Sequence, residues 1–366
     1  MDVSVSQART LAEAPLKLSY NRVWRIYRGG RLIDELRGAA NPADGQFPED
    51  WIASDTRALN EGREQLVEGL SQVVLEDGSV VYLRRLLELA PEAFLGAEHV
   101  RRFGSGLALL VKLLDSAERL QIQAHPSPEF SRQHLNDRFG KTESWLVLGT
   151  RCVGGQEPYI LLGFAERMDK AGFRDLVIRQ DSAGMEQALN RIAVEPGDMY
   201  IVRAGVPHAI GPGVFMVEVQ EPTDWVVSAE FQVGQVHLSE RAALMGLDVD
   251  LALDVFDFDG PTGMDAVAAA TLRRRPGDSG AEITLIGAED TDLFSACELH
   301  IVGDLPDPHR GRAYSGIVVQ GEGELVTAQG AVPLNQGDSF FVPASSRHEG
   351  YRSSHGMTVI ASFPPG

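Results

Sequence analysis

Apolar residues in this chain come in short runs, among them Ser79-Val80-Val81-Tyr82-Leu83, Trp145-Leu146-Val147-Leu148 and Tyr159-Ile160-Leu161-Leu162-Gly163, cut by Gly, Pro and Asp. Runs of this kind dominate residues 16 to 160 and 280 to 365, and they constrain both stretches to β-sandwiches or barrels. Between them, Asp169 to Ile178 and Gly184 to Ile192 space their apolar residues by three and four, the period of amphipathic helices, and read as a small helical insertion.

A phrase recurs. Val194-Glu-Pro-Gly-Asp198 and Leu334-Asn-Gln-Gly-Asp338 each make a Gly-Asp turn, each leads into an alternating strand, and each strand ends near a histidine, His208 or His348. The repeat predicts two related barrels in tandem. The expected division is a first barrel over 1–163 and 193–265, the helical insertion over 164–192, a connector over 266–279 around Arg273 to Arg275 and Pro276-Gly277, and a second barrel over 280–366.

At 366 residues, with 43% apolar and 23% charged side chains, the chain has the length and composition of an ordinary globular protein of two or three domains. No apolar run reaches the roughly 18 residues of a membrane span. The N-terminal stretch lacks a basic start followed by an apolar core, so the expected compartment is the cytoplasm, and the two cysteines, Cys152 and Cys297, form neither a disulfide framework nor a thiolate metal motif. Fifty-two acidic against thirty-three basic residues give a net charge of -19, which repels polyphosphate and argues against a nucleic-acid partner, though not against a small anion in a basic pocket.

Gln123 and His125, two apart on a strand-like stretch, present both side chains to one face. Glu143 follows at a strand entrance and His208 beyond a turn. Together they form a mixed nitrogen and oxygen set suited to zinc and tolerable for Mn, Co, Ni or Fe(II). Taken singly, each has an ordinary alternative, and a histidine before proline is most often a turn or core residue.

The flanking words carry more. Gly29-Gly30-Arg31-Leu32, Pro48-Glu49-Asp50-Trp51-Ile52-Ala53-Ser54, Leu110-Val111-Lys112-Leu113-Leu114-Asp115, the Gln123-x-His125-Pro126 phrase, Lys141-x-Glu143, Ala204-Gly205-Val206-Pro207-His208 and the segment Glu218 to Asp224 resemble type I phosphomannose isomerase over most of residues 20 to 235. The resemblance implies a mainly β fold of tandem cupin (jelly-roll β-barrel) domains with a small α-helical insertion, and one zinc or other divalent ion per chain held by Gln123, His125, Glu143 and His208. It also implies aldose–ketose interconversion between mannose 6-phosphate and fructose 6-phosphate or a related sugar, in a monomer or homodimer.

Such a reaction needs a base and an electrophile, and Lys141 and Glu218 are the expected proton-transfer residues. Three positions depart from the family. Its arginine position holds Ser228, its phosphate-contacting serine position holds Gln121, and Arg203 stands where the family has proline. Arg203 either restores a cation to the pocket or is a solvated edge residue. Two other readings compete: a sugar-binding cupin that senses without catalysing, and an Fe(II) oxidase, which Gln123 as a ligand disfavours. His300, His309 and His348 are scattered, so no second metal is expected.

Overall fold

Successive side chains of a strand point to opposite faces, and this alternation sorts the chain into layers. The computed structural model describes residues 3–75, 77–233, 236–277, 280–328 and 330–366. One sheet of the first barrel orders its strands Met199–Val202, Glu143–Thr150, Val214–Gln220, Leu110–Asp115, Glu49–Ile52 and Arg22–Val23, all antiparallel. The facing sheet runs Leu189–Ala193, Tyr159–Phe164, His208–Ile210, Gln123–Ala124 and Val227–Ser228.

Between the sheets, Leu114, Trp145, Val147 and Met216 meet Ile160, Leu162 and Ile210. The opposite parity of the first sheet, Val111, Leu113, Leu146, Val217 and Val219, packs on Leu285, Ile317, Phe341 and Ile360 from the C-terminal strands. That sheet is therefore covered on both faces, which is why Val214–Gln220 reads as an almost unbroken apolar run. The facing sheet turns Ala124, Leu161, Ala209 and Val227 outward onto Phe173, Val177, Met185 and Leu253. Each fully buried Leu or Val stabilises the fold by about 2 kcal/mol. The charged residues of inward parity, Lys112, Glu143 and Glu218, are thus not what packing alone would select.

The C-terminal strands form one sheet in the order Leu16–Lys17, Ser339–Val342, Tyr314–Thr327, His348–Phe363, Ser295–Pro306, Glu282–Ile286 and Arg275–Pro276, with Gly330–Asn335 paired to Tyr314–Thr327. It wraps a core of its own around Leu299, Ile301, Tyr314, Val318, Phe340, Tyr351 and Val359. Leu16–Lys17, from the start of the chain, pairs with Ser339–Val342 and supplies hydrogen-bond partners to what would otherwise be an open edge. The C-terminal sheet thus recruits sequence from well outside 280–366.

Helix is more widespread than the sequence reading expects. Arg31–Leu36, Leu83–Leu89, Pro91–Leu95 and Ala97–Phe103 are helical within the stretch that short strand-like runs dominate. Leu83, Leu86 and Leu87 of the second of these are buried at the spacing of a helix face, so the signal was there. The helix expected over Gly184 to Ile192 is Ser182–Gln187, after which Leu189–Ala193 joins Tyr159–Phe164 as an edge strand. The Asn190 amide fastens it to the carbonyls of Leu162 and Gly163. The expected connector, 266–279, begins inside the helix Gly263–Ala270 and takes in the strand Arg275–Pro276, and its residues 278 and 279 lie outside the described residues. No described helix is long and apolar enough to cross a membrane.

Candidate metal centre and active-site cavity

Inward parity brings four side chains from three places in the chain to one point. Gln121, Gln123 and His125 alternate with the outward Ile122 and Ala124. His208 opens the neighbouring strand directly opposite Gln123, and Glu143 opens its own strand in the facing sheet. His125 Nε2 lies 3.2 Å from Glu143 Oε2, and His208 Nε2 lies 3.3 Å from Glu143 Oε1 and 3.3 Å from the Gln123 amide. Around a tetrahedral zinc with nitrogen and oxygen ligands at about 2.0–2.1 Å, ligand atoms stand about 3.3–3.4 Å apart.

Both imidazoles are oriented for this. His125 Nδ1–H donates to the Trp225 carbonyl at 2.9 Å and His208 Nδ1–H to the Val206 carbonyl at 2.9 Å, which leaves each Nε2 lone pair aimed inward. Burial, with Lys141 adding to it, drives His125 down to about 3, and burial lowers His208 as well, so both rings are neutral at pH 7. Burial opposes ionisation of Glu143, yet His125 and Lys141 hold its carboxyl well below the ordinary range. The Trp145 indole donates to Glu143 Oε1 at 3.1 Å and fixes its plane. Two neutral imidazoles, a carboxylate and an amide whose oxygen reaches the same point by a half-turn are a donor set that fits one divalent cation.

Tight backbone contacts set the positions. Gly205 has φ +88° and donates to the His125 carbonyl at 2.9 Å, so the turn before His208 is tied to the strand carrying the other imidazole. Any Cβ at Gly140 would lie 2.6 Å from the Pro126 carbonyl oxygen, and this close approach lets Lys141 N–H donate to that same oxygen at 3.1 Å. Buried Glu221 clamps the loop by accepting from the amides of Gly140 and Thr142.

Above the four donors lies a cavity of about 200 Å³ lined by Gln121, Gln123, Lys141, Glu143, Glu218 and Ser228, among others. Lys141 Nζ stands 3.1 Å from His125 Nε2 and 3.4 Å from Glu143 Oε2. Glu218, inward between Val217 and Val219, is raised to about 7 by burial, which Lys112 at 3.2 Å only partly offsets. Gln121 Nε2 is buried and makes no hydrogen bond among the described residues, a donor held toward the cavity.

Arg203 is elsewhere. It follows Val202 and takes the opposite parity, is exposed, and donates to the Asp290 carbonyl at 3.0 Å, so it supplies no cation to the cavity. Besides Lys141, the cations of the cavity are ones that sequence reasoning left without a role. Arg25 grips Asp224 with two nitrogens at 2.8 and 3.0 Å and meets Glu49 at 2.9 Å, while Lys112 sits between Glu218 and Glu49. Tyr27 and Trp51 both donate to Glu49 at 2.7 Å. Lys112, Glu49 and Asp224 all fall in segments that resemble the isomerase family, which was the available signal.

The chain matches no protein-family model. Among curated proteins it is similar to the mannose-6-phosphate isomerase of Streptococcus mutans, 27% identical over 73% of this chain and 78% of that one. It is likewise similar to a mannose-6-phosphate isomerase of Bacillus subtilis, 23% identical over 66% of this chain and 70% of the other. Among solved structures, the mannose 6-phosphate isomerase from Bacillus subtilis superposes with a TM-score of 0.70 at 23% identity, over 95% of this chain and 99% of that one. A phosphomannose isomerase from Salmonella typhimurium does so with 0.68 at 17% identity, over 96% and 100%. The layered β architecture is therefore the cupin fold of those proteins, and over two thirds or so of its length the chain is similar in sequence to mannose-6-phosphate isomerases, as a divergent relative of them would be.

Proposed function

We propose that the chain is a metal-dependent aldose–ketose isomerase, with Gln123, His125, Glu143 and His208 as the ligands of one zinc-class ion. The observation that carries this is the pair of buried imidazoles whose Nδ1 atoms are committed to carbonyls while both Nε2 atoms converge on Glu143. A divalent ion there supplies the electrophile that holds charge on the sugar's carbonyl and hydroxyl oxygens. The residues beside it move the protons. Glu218, whose ordinary ionisation burial shifts into the neutral range, takes the proton from the carbon next to the carbonyl and returns it to the adjacent carbon. Lys141, within reach of the ligand set, exchanges the proton of the oxygen on which charge develops. Gln121 and Ser228 line the wall where sugar hydroxyls need partners, and Gln121 Nε2 has a hydrogen bond to give.

Mannose 6-phosphate is the substrate named for the relatives, and it is the first candidate here. One observation favours a sugar without phosphate. The cavity wall carries Arg25, Lys112 and Lys141 against Glu49, Glu61, Glu143, Glu218 and Asp224, and each of the three cations is already engaged by a carboxylate. A phosphate dianion entering there meets more acid than free base. The test is to purify the protein, measure bound metal, and follow ketose formation from mannose and mannose 6-phosphate with and without chelator. Turnover indifferent to chelation sinks the metal-dependent mechanism. Metal retained with no turnover on any sugar favours a sugar-binding protein that does not catalyse.

A further inference from the structure

A second group of metal-ligating side chains lies in the C-terminal sheet, far in sequence from the first. Glu282 opens the strand Glu282–Ile286, Cys297 lies in the adjacent strand Ser295–Pro306 opposite Thr284, and His309 sits in the turn that follows. That turn is fixed by the Asp307 carboxylate accepting the His309 amide at 2.8 Å and by the Arg312 amide donating to the His309 carbonyl at 3.1 Å. His309 Nε2 is 3.3 Å from Glu282 Oε2 and 3.5 Å from Cys297 Sγ. With zinc–sulfur and zinc–nitrogen distances of about 2.3 and 2.0 Å, tetrahedral ligand atoms stand about 3.5 Å apart, and an oxygen and a nitrogen about 3.3 Å apart.

An independent observation points to a ligand. The Glu282 side chain is 8% exposed, and its Oε2 makes no hydrogen bond among the described residues although it is turned toward His309 and Cys297. A buried carboxylate oxygen left in that state is costly unless something cationic completes it. Arg312 is close enough to act on Glu282 and Cys297 through its charge, but it makes no hydrogen bond or close ion pair with either, and its guanidinium lies over the Phe363 ring, 4.5 Å from the centroid. The three donors border a surface crevice shared with Thr284 and Phe363, which leaves a fourth direction open.

We infer that Glu282, Cys297 and His309 form a second site for a thiophilic divalent cation of the zinc class, separate from the centre in the first barrel. On binding, the Cys297 thiol gives up its proton to solvent. Thiolate and carboxylate then balance the two charges of the ion, with His309 neutral. Such an ion pins the edge strand Glu282–Ile286 and the turn at His309 to the barrel, and the chain holds two ions where the sequence reading expects one.

The test uses the full chain. Saturated with zinc and freed of excess, it should carry two ions, falling to one in Cys297→Ser and in the less buried His309→Gln. Saturated with cobalt, it should show a thiolate-to-cobalt charge-transfer band that survives His208→Ala and vanishes in His309→Gln. His309→Gln distinguishes loss of the site from misfolding, because its first-site ion should remain. One ion in the saturated wild type, two in His309→Gln, or no thiolate band each overturns the inference.

Discussion

The two barrels share a turn and differ in what the turn delivers. In the first, Asp198 Oδ2 accepts the Glu195 amide at 2.9 Å and the Gly197 amide donates to Val147. In the second, Asp338 Oδ2 accepts the Asn335 amide at 2.7 Å and the Gly337 amide donates to Val318. Each turn feeds a strand whose last residue, Val202 or Val342, pairs with an equivalent position, and that position is Glu143 in the first barrel and Tyr314 in the second.

Beyond each strand comes a buried histidine. His208 keeps Nε2 for Glu143 and Gln123, whereas His348 commits Nε2 to Asp307 at 2.5 Å and Nδ1 to the Ser346 hydroxyl at 3.0 Å. Tyr314 donates to the same Asp307 and accepts from Tyr351. One scaffold thus presents convergent lone pairs in one copy and a closed hydrogen-bond network in the other. A carboxylate exchanged for a phenol at a single register position accounts for much of the difference, because a phenol makes a poor zinc ligand at neutral pH.

The largest effect should separate the two histidines. His208→Ala and Glu143→Gln should lower turnover by roughly a thousandfold or more and release the first-site ion, as expected for loss of the electrophile. His348→Ala should leave that ion bound and turnover within a few fold, measured by metal content and kcat. Abolished turnover in His348→Ala would break the comparison.

Next comes the base. Glu218→Gln should cut kcat at least about a hundredfold with the ion retained, whereas an outward-facing strand residue would cost only a few fold. The pH profile follows in size. Burial lifts Glu218 to about 7, with Lys112 partly offsetting, so its basic form is lost as pH falls through 7. Turnover should then drop by about tenfold per unit on the acid side, and that limb should disappear in Glu218→Gln.

Stability marks the second barrel. His348→Ala should destabilise the fold by about 3 kcal/mol in denaturant titration, because it strips Asp307 of its closest buried partner. The smallest effect belongs to Arg203→Ala, expected within twofold of wild type in kcat/KM because the side chain ends at Asp290 on the surface. A tenfold loss there would return a cation to the cavity.

Strand parity and the repeated Gly-Asp turn were written in the sequence, because both depend on neighbours within a few residues. The alternation from Gln121 to His125 already placed Gln123 and His125 on one face, and the short apolar runs already implied two β units. What stood far apart could not be read that way. That Arg25 closes on Asp224 and Lys112 on Glu218, that Arg203 turns away from the cavity, and that the strand Leu16–Lys17 completes the sheet of the second barrel are all settled by pairing between distant segments. The same holds for His309, which looks isolated along the chain and meets Glu282 and Cys297 only because two strands and a turn bring them together. Local chemistry chose the candidate ligands; long-range packing chose which of their lone pairs are left free.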